Sequence, residues 1–442
     1  MLNFCPNLAV QTRQMNILHV TPFYSCERGG ERHVKEVSEH LAAGGHRVTV
    51  LTTNVESERD LLRGEKGVLP KSEIINGVHV MRISATSKIL SNVLSGCERV
   101  KGGYRSLSLL FTSGGLEMLH ARPGNLGFLY SILRSDADIV ASWNWYFPPA
   151  YYAHLARRLR GFRLVGIPFF HTAERWSQNP VYDDIVTTCD GFIVNTEHER
   201  RFILKRMPTA TRIAVVGPGT NPALFNMRDS LNFRKRYGLG DAPLIGFVGS
   251  LGIQKGADTL LEAMPLVWRW NGNVRLVLAG YESSNFSKIE QLIHGLSRDY
   301  QSRILILSNF PESEKPNLYE AIDIFALPST SESFGIAYLE AWICRKPVIG
   351  SRIDSTACVI EEGTDGLLVR PKDPVDLARA ICELLADPTR RNEMGERGYA
   401  KTLANFTWQK VSAKIERFYS EVLGNDRVST KDSALVRGQL VP

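Results

Sequence analysis

Twice in this chain a short apolar run ends in a glycine-bearing loop, and each time a helix-forming segment follows. The first copy is NILHVT (16–21), the loop PFYSCERGG, a helical segment from Glu31 to Ala43 stopped by Gly44 and Gly45, and the run HRVTVLTT. The second is APLIGFVGS (242–250), the loop LGIQKG, the helical segment ADTLLEAMPLVWRW, and the run VRLVLAG. Strand, loop, helix and returning strand form the unit from which parallel sheets are wound. Because the pattern restarts with its own loop, it predicts two doubly wound α/β domains, Rossmann-like and facing across a cleft, rather than one α/β barrel.

The remaining runs fit that frame. INGVHVMRI (75–83) reads as a strand pair or edge element, and ADIVASW, FRLVGIPF and CDGFIVNT as further strands of the first half. RILILSN, DIFALPS, KPVIGS and GLLVR serve the second, with helices at NLYEAI, FGIAYLEAWI, DPVDLARAICELLAD and 391–422. Residues 84–125 alternate Gly- and Ser-rich turns with short apolar runs and are placed only loosely. PGTNPALF is a turn-rich hinge, and 424–442 is a polar tail without periodicity.

Composition narrows the class. Apolar residues at 43% and charged residues at 22% indicate a globular protein rather than a disordered one. The net charge of +7 favours anionic ligands or an acidic membrane face without choosing among them. The cluster Arg157, Arg158, Arg160, Arg163, Lys205 and Arg206 suits a membrane-facing patch or plain solubilisation. The seven cysteines show no CxxC pair, which suits a reduced, cytoplasmic setting. Residues 1–14 are too short and weakly apolar for a signal peptide, and no run of about 18 apolar residues exists. No aromatic or glycine-rich motif for nucleic acid accompanies the charge.

Open parallel sheets bind ligands outside the carboxyl ends of their strands. Four marked loops follow strands there: ERGG, PFFHT, GSLGIQKG and STSESFG. Gly29 and Gly30 precede a helix whose first amides can face a phosphate, or they simply turn the chain. His171 can donate to a phosphate or a sugar hydroxyl, or decorate a surface. Lys255 can neutralise a diphosphate, although the GxxxxGK[ST] spacing is absent. Glu332 and Glu340, with seven residues between them, flank the helix opening Ser333-Phe334-Gly335. Glu340 can accept from a diol, since a carboxylate offers acceptors only. No metal site is expected: DAD (136–138) lies on the wrong edge of the sheet, YDD (182–184) has no partners, and HExxH is absent.

ERGGERHVKEVSEHLAAGGHRVTVLT, VGSLGIQKGADTLLEAM, LVLAGYES and ALPSTSESFGIAYLEAWICRKPVIGS, in this order, resemble the retaining glycosyltransferases of the GT-B group called family 4. The resemblance spans about 15 to 420. It implies a metal-independent transferase that takes a nucleotide sugar as co-substrate, without a further cofactor, and retains anomeric configuration. The acceptor is a saccharide, lipid-linked or small-molecule hydroxyl, and polysaccharide synthesis is the family-weighted setting. The expected organisation is an acceptor-side domain over 15–216, a nucleotide-sugar domain over 217–400, a helix crossing back over 401–422, and a flexible tail over 423–442. Localisation is expected to be cytoplasmic, with peripheral contact to an acidic membrane.

By the same resemblance His171, Lys255 and Glu332 are the catalytic residues. Gly29, Gly30, Gly249, Ser250, Ser333, Phe334, Gly335 and Glu340 join Lys255 in holding the donor, with Glu340 on the ribose. Two departures stand out. Ser250 follows Gly249 where many members carry arginine, which removes a diphosphate clamp. ADIVASWNWYF places Trp143 and Trp145 where members often have histidines, to stack on a ligand or to pack. A nucleotide-sugar epimerase would share the cleft, and a catalytically weak partner subunit would explain Ser250.

Overall fold

Strands buried on both faces need near-continuous apolar runs, and the central strands of both halves have them. The computed structural model describes residues 13–24, 29–56, 60, 61, 67–85, 124–226 and 229–424. Most of 84–125, nearly all of 1–14, the tail beyond 424, Glu27 and Arg28 of ERGG, and Cys5, Cys26 and Cys97 lie outside the described residues.

The first sheet contains β1 (Asn16–Val20), β2 (Arg47–Thr53), β3 (Ser72–Ile75), β4 (Val78–Ile83), β5 (Ile139–Trp143), β6 (Arg163–Ile167), β7 (Gly191–Val194) and β8 (Ile213–Val215). Its order is β3-β4-β2-β1-β5-β6-β7-β8. All neighbours are parallel except the hairpin β3–β4, whose turn uses Asn76 and Gly77 at positive φ. The sequence signal for a strand pair was therefore this edge hairpin. The second sheet contains β9 (Leu244–Val248), β10 (Arg275–Gly280), β11 (Ile304–Ser308), β12 (Ile324–Leu327), β13 (Val348–Ser351) and β14 (Gly366–Val369). It is parallel throughout, in the order β11-β10-β9-β12-β13-β14.

Helices cover both sheets. In the first domain they are α1 (Gly29–Ala43), α2 (Gly127–Arg134), α3 (Pro149–Leu159), α4 (Val181–Thr188) and α5 (Glu197–Arg206). The second has α6 (Ser230–Arg236), α7 (Ala257–Trp270), α8 (Phe286–His294), α9 (Arg298–Gln301), α10 (Lys315–Ala321), α11 (Ile336–Ile343), α12 (Pro374–Ala386) and α13 (Pro388–Asn405). In each sheet the winding reverses direction at its first strand, between β1 and β5 and between β9 and β12. Ligands of such sheets bind at these switch points, so the loops after β1, β5, β9 and β12 face the cleft.

The last helix, α14 (Trp408–Val422), belongs to the first domain's core. Trp408, Val411, Ile415, Phe418 and Tyr419 pack with Ile17, Val34 and Val165. Gly191 and Gly219 lack side chains because the Phe418 ring and Trp408 occupy that space. The Tyr419 hydroxyl lies 3.1 Å from Nε2 of buried His19, and Nε2 of His46 is 3.1 Å from Glu416. The stretch 401–422 is not one helix. Residues up to Asn405 finish α13, and Thr407 caps α14 by accepting from the Lys410 amide.

Candidate functional site

Backbone contact between two loops brings the second domain's charged groups together. Lys255 ends a 3-10 turn after β9, and Gly256 follows at φ +79°. A Cβ on Gly256 would sit 2.1 Å from the Pro328 carbonyl oxygen, so only glycine lets the β9 and β12 loops touch. The Thr330 amide donates to the Gln254 carbonyl at 2.9 Å. Across this contact Lys255 Nζ donates to Glu332 Oε1 at 2.7 Å, and Ser329 Oγ donates to the same oxygen at 2.9 Å. Glu332 is 7% exposed; its charge is accommodated because it is paired.

The first domain meets this loop pair through the β6 loop. His171 Nδ1 lies 3.2 Å from Ser331 Oγ, and Gln254 donates to Glu174 at 2.8 Å. Burial, helped by the Lys255 ammonium, holds the His171 pKa below its ordinary value, while Glu332 and Glu174 pull the other way. The ring is therefore neutral at pH 7 and acts through hydrogen bonds.

Two features fix the His171 loop. Phe169 adopts φ +56°, a strained conformation for a bulky residue. Its ring stacks on His33 at 5.3 Å and covers Gly30, where a Cβ would meet it at 2.8 Å. Gly30 thus admits an aromatic ring at its Cβ position, while its amide remains among the first of α1. Gly29, at φ +41° with nothing near its Cβ position, stays open to a ligand. The second feature is buried Glu199, which accepts from the amides of Phe170 and Asn195, both at 2.7 Å.

Burial pushes the Glu199 carboxyl up to about 7, against those two amide donors. Between the ordinary carboxylate range and that value, the folded protein keeps a proton the unfolded chain has released. Stability from this group is therefore present at acid pH and lost as pH rises through about 7. The urea midpoint of the wild type is expected to fall from pH 5 to pH 8 more than that of Glu199→Gln. Parallel pH profiles would contradict this assignment.

Glu340 lies on α11, 4% exposed. Tyr319 Oη donates to its Oε2 at 2.9 Å, with Lys315 Nζ 3.8 Å from the same atom. Its Oε1 faces Arg32 of α1 across the cleft, 3.6 Å from Nη1. Burial works against the Lys315 charge, but Glu340 and Glu312 hold its pKa above the ordinary lysine value. Gly335 caps α11 in the left-handed region at φ +96°.

The other expected donor residues divide. Gly249 and Ser250 lie half-buried on the β9 loop, and Ser333 half-buried on the β12 loop. The Phe334 ring is instead buried against Phe406 and over Gly217. Trp143 and Trp145 are fully buried among His19, His33 and Phe169, and among Phe170, Tyr182 and Phe192. They pack; neither stacks on a ligand. Arg157 and Arg163 converge on Asp190, Arg206 pairs with Asp183, and Arg160 binds carbonyls at the end of α2, so two carboxylates offset part of the charge of this cluster. Among the described residues no group of three or more His, Cys, Asp or Glu side chains is placed to hold a metal, and no helix is long and apolar enough to cross a membrane. A cavity of ≈ 410 Å³ opens elsewhere, between α2 and the sheet near Arg47 and Met81, and none of the site loops reaches it.

Arg32, Ser331, Lys315 and Tyr319 were missed in the sequence because their partners are distant or lie in another element, and Ser329 because a serine three residues before a glutamate in a loop carries no signal of its own. Glu199 carried a signal: Thr196-x-x-Glu199 is a capping-box pattern, and Thr196 does accept from the Glu199 amide. Here the glutamate turns to a neighbouring loop as well.

Comparison with known proteins agrees with this architecture. Residues 28–219 match the glycosyl transferase 4-like domain, and 229–401 match glycosyl transferases group 1. The D-inositol 3-phosphate glycosyltransferase of Corynebacterium jeikeium is 30% identical over 313 residues, covering 67% of this chain and 73% of that protein. Sucrose-phosphate synthase from Thermosynechococcus elongatus superposes with a TM-score of 0.71 at 20% identity, covering 93% of this chain and 100% of that one. Anabaena HepE, solved in complex with UDP-glucose, superposes with a TM-score of 0.70 at 17% identity, covering 92% and 100%.

Proposed function

The chain belongs to the group 1 glycosyltransferases and has the GT-B fold, and on that premise we propose that it is a retaining, metal-independent hexosyltransferase using a UDP-sugar. The observation that carries this reading is the meeting of Lys255, Glu332, Ser329 and His171 at one point between the domains. The donor diphosphate lies against Lys255 and the open amides after Gly29, the sugar beside Glu332 and His171, and the ribose on Glu340. Uridine is chosen because HepE was solved with UDP-glucose.

The chemistry is front-face displacement. The acceptor oxygen bonds to the anomeric carbon as the bond from that carbon to the diphosphate oxygen breaks. The acceptor's proton passes to the leaving diphosphate on the same face. Positioning and charge stabilisation then supply the rate. The pairing of Glu332 Oε1 with both Lys255 and Ser329 makes it a poor nucleophile and favours this route over a covalent intermediate. The acceptor is a hydroxyl in saccharide or glycolipid synthesis, and use of a nucleotide sugar makes the setting cytoplasmic, at or near the membrane face.

A donor panel tests this. Purified protein is incubated with UDP-glucose, UDP-N-acetylglucosamine, GDP-mannose and ADP-glucose in chelator, following thermal shift and hydrolysis. An acceptor panel led by inositol 3-phosphate and lipid-linked saccharides follows. One UDP-sugar is expected to raise the Tm and hydrolyse slowly. No shift with any donor would sink the transferase reading in favour of a partner subunit, and a new epimer without acceptor would make it an epimerase.

A further inference from the structure

Two cation–carboxylate pairs lie within the site. Lys255 holds Glu332 at 2.7 Å inside the second domain. Arg32 holds Glu340 at 3.6 Å from the first domain, and is also 3.9 Å from Glu312 and 3.8 Å from Glu36. The two pairs differ in tightness. Lys255 makes a short charged hydrogen bond, whereas none of Arg32's three carboxylate contacts closes to 3.5 Å. A guanidinium offers five N–H donors, and this one, with its side chain 16% exposed, is attracted by three anions without docking on any. Such an arrangement is held but replaceable.

Glu340 presents its two oxygens differently. Oε2 is taken by the Tyr319 hydroxyl, which leaves Oε1 for a ligand, and Arg32 stands at Oε1. A ribose diol binding there must displace it. The same ligand brings a diphosphate into a site where Ser250 supplies no charge and Lys255 is the second domain's cation. Arg32 lies in the first turn of α1, whose open N-terminus at Gly29 suits a phosphate. Its fork matches phosphate oxygens better than an ammonium does.

We propose that Arg32 changes partners with the donor: it occupies Glu340 in the donor-free protein, and on nucleotide binding it yields Glu340 to the ribose and turns onto the diphosphate. It thereby supplies, from the opposite domain, the cation that position 250 lacks. The link between the two domains is kept and passes from a carboxylate to the bound diphosphate. Lys315 does not exchange in this way, because it stays bonded to Glu312 at 2.8 Å. The proposal rests on the assignment of Glu340 to the ribose.

Isothermal titration with uridine and with UDP separates the two ideas. In the wild type, UDP binds more tightly than uridine because both cations meet the diphosphate. In Arg32→Gln, uridine is expected to bind as well or better, since its competitor at Glu340 is gone, while the advantage of UDP over uridine shrinks about tenfold. Arg32→Lys should restore part of that advantage. An unchanged UDP-to-uridine ratio, or equal weakening of both ligands, overturns the exchange and leaves Arg32 a structural ion pair. Adding Glu340→Gln to Arg32→Gln, titrated with uridine, reports on the ribose assignment free of that competitor: affinity unchanged from Arg32→Gln removes the premise.

Discussion

Lys255→Ala is expected to lower kcat/KM for the donor by about 10²- to 10³-fold, the scale on which losing one preorganised donor to a developing oxyanion is felt. Most of the loss should fall on kcat, because charge on the leaving diphosphate grows as the glycosidic bond breaks. Lys255 has a second role in this structure. It is the cation paired with buried Glu332, through a 2.7 Å bond, and removing it leaves the Ser329 hydroxyl on that oxygen. A carboxylate left without its cation at 7% exposure is costly and loosens its loop. The two positions should therefore be strongly non-additive, with Lys255→Ala/Glu332→Gln scarcely worse than the poorer single variant. Steady-state kinetics and urea melts on all four proteins check this. Multiplying losses would contradict the coupling of Lys255 to Glu332, and a Lys255→Ala enzyme within tenfold of wild type would detach the lysine from the leaving group.

The legibility of this chain follows from how far apart its partners lie. Local pattern sufficed for the sheets. Apolar runs such as LIGFV at 244–248 are buried throughout, and each is punctuated by a loop, so strand existence and the two-domain restart could be read directly. The β12 loop and α11 were legible for the same reason, since Glu332 and Glu340 straddle a visible change from polar to apolar residues. The break at Phe406 was not visible, because the helical pattern continues on both sides and only the Thr407 cap marks it. Tryptophans 143 and 145 were ambiguous because a large aromatic at a strand end serves a core or a ligand equally well. Burial against His33 and Tyr182 decided the matter, and no spacing rule contains it. Gly30 was readable only in part: the need for glycine was visible, but the Phe169 ring above it comes from a loop more than a hundred positions away. Arg32 is the extreme case, since its significance lies wholly in Glu340 on the other domain.

Glu340→Ala is expected to weaken UDP binding by about 10²-fold. Hydrogen bonds to a charged group contribute about 1.5 kcal/mol or more each, and losing two ribose hydroxyl contacts at that scale gives this factor. The variant should also be less stable, by about 1–3 kcal/mol, because the buried Tyr319 hydroxyl loses its acceptor and Lys315 keeps only Glu312. Glu340→Gln separates these effects. Its amide oxygen can still accept from Tyr319, so most of the stability should return, while a neutral amide remains a weaker acceptor for a diol. Titration with UDP and urea unfolding of both variants measure the two quantities independently. If Glu340→Ala binds UDP within threefold of the wild type while losing stability, the carboxylate is a core anchor for α10 and the ribose lies elsewhere. If affinity falls in both variants while stability falls only in alanine, the buried charge is kept for the ligand. A helix that is otherwise apolar would then carry a carboxylate because the nucleotide completes its hydrogen bonding, with Tyr319 and Lys315 holding it ready in the meantime.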